Sequence, residues 1–226
     1  MGRRMILKRK ILAFTALVLV LASIPAMADE WKLAKNMSGI KVYTKKIPGS
    51  VLKAVKAEMT VKTSLASLIA LMTDFDSFTR WYPQMKVFTC VKEITKLEFY
   101  IHIMTDAPWP VKDRDSLCHF KIFQDPADKS INIEYTDLPG ILPEEPGIIR
   151  VKKLYGLFRF TPVDSDRVLI TYETHSDPGG KIPAWMANAT TTERPYKIFK
   201  NMRKMVMKDK YQNTICDSYR AMNNLN

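Results

Sequence analysis

Histidine and cysteine are scarce, with three of each among 226 residues. His102, His119 and His175 fall in no metal-binding spacing such as H-E-x-x-H, which argues against a dedicated metal centre. Cys118 and His119 are neighbours in a segment that reads as a strand. Their side chains would leave opposite faces and could not form a nucleophile–base pair. Cys90, Cys118 and Cys216 are too few for a disulfide framework; three small thiols is the simpler reading, and one bridge stays open. The chain also lacks a G-x-G-x-x-G or other phosphate loop, a helix-turn-helix, a zinc finger and an aromatic-basic RNA-binding motif. Internal repeats and low-complexity linkers are missing too. These absences speak against a bound cofactor and against nucleic acid as a partner.

What is present begins with a targeting pattern. Arg3, Arg4, Lys8, Arg9 and Lys10 precede the apolar run "ILAFTALVLVLA" at 11–22, and "AMA" at 26–28 places small residues before Asp29. This is the layout of a signal peptide over residues 1–28, cleaved after Ala28. The run is short for a membrane span, which needs roughly 20 apolar residues. "RRMILK" also has some likeness to a twin-arginine signal, so the export route stays open. The protein is expected to be periplasmic or secreted. Of 35 Lys and Arg against 23 Asp and Glu, five basic residues leave with the signal, so the net charge falls from +12 to +7. A scattered basic excess suits transient contact with an anionic membrane.

With 46% hydrophobic residues the mature chain can bury a sizeable core, and it reads as one domain over 29–210 with a tail at 211–226. A short helix is expected at Trp31–Lys35. "GIKVYTKK" (39–46) and "VLKAVKAEMTV" (51–61) alternate as strands do. Ser64 can cap a helix whose Leu65, Leu68, Ile69 and Met72 share a face, and a further helical turn runs from Phe75 to Trp81. Strands follow at 85–94, 97–105, 111–123, 130–138, 147–163 and 166–177, with connections short enough for an antiparallel meander. The end is helical. Pro183 suits a first turn, Pro195 should break or kink the helix, and Tyr196, Phe199, Met202, Met205 and Val206 form an apolar stripe opposite Lys197, Lys200, Arg203, Lys204 and Lys208. The expected class is α+β: a curved antiparallel sheet with one long amphipathic helix left to cover its concave face. A mouth closed but not filled by a helix is a typical small-molecule site.

The motifs "WPVKDRD" (109–115), "LPEEPGIIR" (142–150) and "DPGGKIPAWMAN" (177–188) resemble, in order and spacing, the START domain, the steroidogenic-acute-regulatory-protein-related lipid transfer domain. "GIKVYTKKIPGS" near the start and "PYKIFKNMRKMV" near the end extend the likeness over Trp31 to Val206. The resemblance implies a helix-grip fold with a lipid held in a tunnel between sheet and C-terminal helix, acting as a carrier between membranes or to a partner. It also implies a wider superfamily with cyclases and hydrolases, so an enzyme acting on a hydrophobic substrate is the alternative. In sterol-binding members a cavity arginine and its carboxylate partner match Phe120 and Ile101 here, which weakens the case for sterol.

The candidate lipid contacts follow from alternation and from this match. Phe99 and Ile101 share the apolar face of one strand. Arg114 and Phe120 share a face of the next, and Arg114 is the one charge on the presumed inner side. It serves either a salt bridge at the rim or a ligand head group. His102 and Asp115 are expected to pair across these strands on the outer face. Tyr135 and Tyr172 sit on apolar stripes. Asn188 matches an Asn of the family motif, and Thr192 and Phe199 follow on its side of the helix. In "DLPGILPEEPG" (137–147), Leu138, Ile141 and Leu142 are apolar residues in a proline-rich loop, expected to gate the tunnel by packing on the C-terminal helix. The protein reads as a monomer.

Overall fold

The computed structural model describes residues 30–212. The first chain segment forms β1 (Lys32–Met37) and β2 (Ile40–Lys45), not a helix at 31–35. Ser38 and Gly39, at φ 55° and 73°, make the tight turn that returns the chain alongside itself. The stretch has no apolar stripe to bury as a helix, so its backbone pairs with the edge of β2 and most of its side chains stay in water. β3 (Ala54–Lys62) continues the sheet. Ser64 caps α1 (Leu65–Thr73) as expected, its Oγ accepting the Ser67 N–H at 3.1 Å. A 3-10 turn (Phe75–Ser77) and α2 (Phe78–Trp81) lead back to the sheet.

β4 (Met85–Thr95), β5 (Glu98–Thr105), β6 (Arg114–Gln124) and β7 (Ile131–Asp137) form the expected meander. The single strand expected at 147–163 is two strands, β8 (Ile149–Arg150) and β9 (Lys153–Pro162). β7 stops pairing with β6 at Cys118, and β8 takes the vacated place beside Arg114 and Asp115, running parallel. The chain then crosses to the far side of β7 as β9, a step that one continuous strand cannot make. β10 (Arg167–Asp177) closes the ten-stranded sheet, whose order is β1-β2-β3-β10-β9-β7-β6-β5-β4 with β8 on β6.

The chain then re-enters helix as α3 (Ala184–Asn188), a π turn (Ala189–Glu193) and α4 (Arg194–Val206). Pro195 has no N–H to donate one turn back, and the wide turn before it absorbs the misfit. The Thr190 hydroxyl donates to the Met186 and Ala187 carbonyls at 2.9 Å, and the Thr191 hydroxyl to Ala187 at 2.9 Å, supplying partners to carbonyls that a regular helix would satisfy with amides. α4 buries Tyr196, Ile198, Phe199, Met202 and Val206 against β2, β3, α1 and α2. Asn201 donates to the Trp81 carbonyl at 2.7 Å and Arg203 to the Ser38 carbonyl at 2.8 Å, which ties the helix to both ends of the sheet. At the boundary of the expected tail, α5 (Asp209–Gln212) buries Tyr211, whose hydroxyl donates to Asp74 at 2.7 Å. The expected signal peptide, Cys216 and the rest of the tail lie outside the described residues.

Candidate functional site

Between the concave face of the sheet and the C-terminal helices lies a cavity of about 170 Å³. Its wall is mostly apolar: Val55, Met72, Phe78, Phe88, Phe120 and Phe158 come from sheet and N-terminal helices. Its cover comes from the 178–191 segment through Pro178, Ile182, Met186, Thr190 and Thr191, with Ile198 of α4 behind. Alternation along the strands supplies the apolar face, and curvature keeps the helix from filling it.

Three tyrosines and a threonine run through this wall as one hydrogen-bonded chain. Tyr82 and Tyr172 hydroxyls lie 3.3 Å apart, Tyr172 and Tyr135 2.8 Å, and Tyr135 donates to Thr174 at 3.4 Å. Thr174 in turn donates to the Tyr155 carbonyl at 2.7 Å. That last bond orients the rest: Tyr172 donates to Tyr135, and Tyr82 to Tyr172. Burial first, and the neighbouring tyrosines after it, push all three phenols above their ordinary value of 10. They are therefore neutral hydrogen-bonding groups at physiological pH and not bases.

The opening of β6 carries the charges. Asp115 is 3% exposed and accepts two hydrogen bonds from Arg150, at 2.8 and 2.9 Å, with His102 at 3.3 Å on the same carboxylate. The expected His102–Asp115 pair is thus present, inside a larger network. Burial works against the charged carboxylate, but the Arg150 hydrogen bonds and charge, with His102, outweigh it and hold its pKa below the ordinary value. Arg150 also donates to the carbonyls of Leu142 and Pro143 at 3.0 Å, so one guanidinium joins strand β6 to the 138–148 loop. Arg114 is 5% exposed on the cavity wall. Its Nη1 donates to the Lys112 carbonyl, while Nε and Nη2 are buried without a partner.

Of the residues singled out in the sequence, Arg114, Phe120, Tyr135 and Tyr172 come together on this wall. Phe99 and Ile101 do not line it. They pack in the adjoining core, Phe99 edge-on to Phe75 at 5.1 Å between ring centres. Asn188 is exposed, Thr192 is half-buried, and neither reaches the cavity; Phe199 is buried in the core behind it. The π turn explains this shift. Its extra residue rotates the following helix, so the cavity face passes through Met186, Thr190, Thr191, Arg194 and Ile198. Leu138 and Leu142 turn towards Ser116 and Leu117, where they border a separate depression of about 350 Å³, and Ile141 is 52% exposed. The residues over the cavity itself are those of 178–191.

Sequence reasoning missed Tyr82, Thr174, Arg194 and Gly156. The first three bore no distinguishing local pattern. Gly156 carried a signal: a glycine inside the strand pattern "KLYGLFRF" marks a close approach. Among the described residues no cluster of His, Cys, Asp or Glu could hold a metal ion.

Comparison with known proteins agrees with this architecture. The chain is 32% identical over 178 residues to an uncharacterized protein of Pseudomonas aeruginosa, covering 79% of this chain and 87% of that one. A STAR-related lipid transfer protein from Xanthomonas axonopodis superposes with a TM-score of 0.72 at 33% identity, covering 80% of this chain and all of that fragment. Human StAR-related lipid transfer protein 5 shares the fold, with a TM-score of 0.70 at 16% identity over 87% of this chain and 93% of that one. Residues 11–211 match the START domain, and the chain belongs to that family.

Proposed function

We propose that the protein binds a lipid or another hydrophobic small molecule in the cavity beneath 178–191, and carries it between membranes or to a partner. The carrying observation is the apolar cavity itself, enclosed by sheet and helix and crossed by neutral tyrosines. Moving an acyl chain from water into such a space is favourable by about 0.8 kcal/mol per methylene. The relative from Xanthomonas axonopodis is by name a lipid transfer protein. Mass spectrometry of organic extracts of the purified protein tests the reading; extracts with no bound lipid, together with no uptake from vesicles, would refute it.

A closed cavity of about 170 Å³ lies below the roughly 300–1,000 Å³ typical of small-molecule sites, so its cover must move to admit a chain. Gly179 and Gly180, at φ 64° and 59°, rest against Ile149 and supply a hinge that other residues resist. Three exposed apolar side chains surround this end: Trp109 before β6, Ile141 before β8 and Trp185 on α3. Aromatic and apolar tips of this kind suit a membrane interface. Exposed Lys197, Lys200 and Lys204 add attraction of about 1 kcal/mol each near an anionic surface.

The basic head, short apolar run and "AMA" at 26–28 support export of the mature domain. Intact-mass analysis of the protein from its native host should show a chain beginning at Asp29; full-length protein in the cytoplasm would count against export.

A further inference from the structure

The polar groups on the cavity wall are unequally employed. The tyrosine chain spends its hydroxyl hydrogens internally, ending on the Tyr155 carbonyl. Ser50 donates to the Leu52 carbonyl at 2.9 Å, so His175 at 3.0 Å gives its Nε2 hydrogen to Ser50. Asp115, the acid on the wall, is held by Arg150. Asp113, next in sequence to Arg114, is held by Lys86 at 2.6 Å and by the Ala107 amide at 3.0 Å. No carboxylate is left for Arg114, and its Nε and Nη2 hydrogens are buried without an acceptor.

Arg114 is one of three fully basic residues around the cavity. Lys53 is exposed and solvated, and Arg194 lies over the Tyr82 ring at 5.5 Å with its Nε unpartnered. A wall with this excess of cationic groups, and its acid already neutralised, disfavours a neutral occupant and favours an anionic one. A buried guanidinium with two open donors fits an oxyanion with two acceptor oxygens. The narrow cavity suits one chain better than two.

We infer that the ligand is an amphiphile with a single slender apolar chain and an oxyanion head, carboxylate or phosphate, and that Arg114 holds the head. This rests on the hydrophobic-ligand reading above and specifies its chemistry. The rest of the wall receives the chain, beginning beside Phe120 and Tyr135, whose rings stack at 5.0 Å.

The test uses displacement of Nile red, a neutral apolar dye, from the purified mature domain. Oleate, 1-oleoyl lysophosphatidate and methyl oleate are the competitors. One or both anions should displace the dye about tenfold more tightly than the methyl ester, as expected for hydrogen bonds to a charged group. The better anion identifies the head as carboxylate or phosphate. Arg114→Met should erase the preference while still binding methyl oleate, and Arg194→Met should retain it. Equal affinity of the wild-type protein for oleate, lysophosphatidate and methyl oleate overturns the inference but leaves hydrophobic binding standing. This comparison needs no variant to fold. A preference lost in Arg194→Met and kept in Arg114→Met overturns the assignment to Arg114. Failure of Nile red and every lipid to bind overturns the hydrophobic-ligand reading as well.

Discussion

The ring of Tyr135 lies across the backbone of Gly156: a Cβ at Gly156 would stand 2.0 Å from Tyr135 Cζ and 2.2 Å from its hydroxyl. The two residues face each other in the β7–β9 ladder. The missing side chain on β9 is therefore the space that lets Tyr135 lie flat, stack on Phe120 and reach Tyr172 and Thr174.

Gly156→Ala should force Tyr135 out of that position and destabilise the fold by about 1–3 kcal/mol, the usual cost of overpacking. In a Tyr135→Ala background the same change should cost much less. A double-mutant cycle by denaturant unfolding measures the coupling; additive effects would show that the ring does not depend on the glycine.

Asp115→Asn leaves Arg150 without its carboxylate in a buried setting, which should cost about 3–5 kcal/mol at neutral pH. The folded-state pKa of Asp115 is depressed, so its stabilisation is complete above the unfolded value near 3.9 and is lost as pH falls through the lower folded value. The gap between wild type and variant should therefore narrow below about pH 4. Thermal melts across that range check it, and a gap that widens on acidification would contradict the assignment.

Ile141→Asp and Trp185→Asp replace exposed tips and touch no buried contact, so melting temperature should stay within a few degrees of wild type. Transfer of a fluorescent lipid between anionic vesicles should slow several-fold, and binding in solution should hardly change. Unaltered transfer in the double variant would remove this end from the membrane-contact proposal.

Burial pushes the Cys118 thiol up to about 12, while Cys90 is half-buried. In the folded protein, alkylation at pH 8 should label Cys90 and spare Cys118 until denaturant is added. Peptide mapping distinguishes the two; rapid labelling of Cys118 would mean that β6 opens readily.

Much of the architecture is legible locally. Period-2 alternation marked the strands, Ser64 and the spacing of Leu65, Leu68, Ile69 and Met72 marked α1, and the same alternation put Arg114 and Phe120 on the inner face. The START motifs identified the family before any coordinates were needed. These readings succeed because side-chain direction within one element follows from backbone geometry alone.

What failed locally depended on partners distant in sequence. The 32–37 segment is a strand because β2 offers it an edge, and 147–163 splits because β7 ends where β8 can pair with β6. Asn188 and Thr192 leave the cavity, and Thr191 and Arg194 enter it, because one π turn before Pro195 rotates the helix. Tyr82, Tyr135, Tyr172 and Thr174 meet only when three separate regions of the chain close on one another. Sequence alone determined which faces of this protein are apolar and which family it joins. Tertiary structure decided which polar groups find partners inside, and so which one, Arg114, keeps its hydrogen-bonding capacity unused. The physical reason is that pairing between buried groups depends on the register and rotation of elements packed together from across the chain, and no short stretch of residues encodes either.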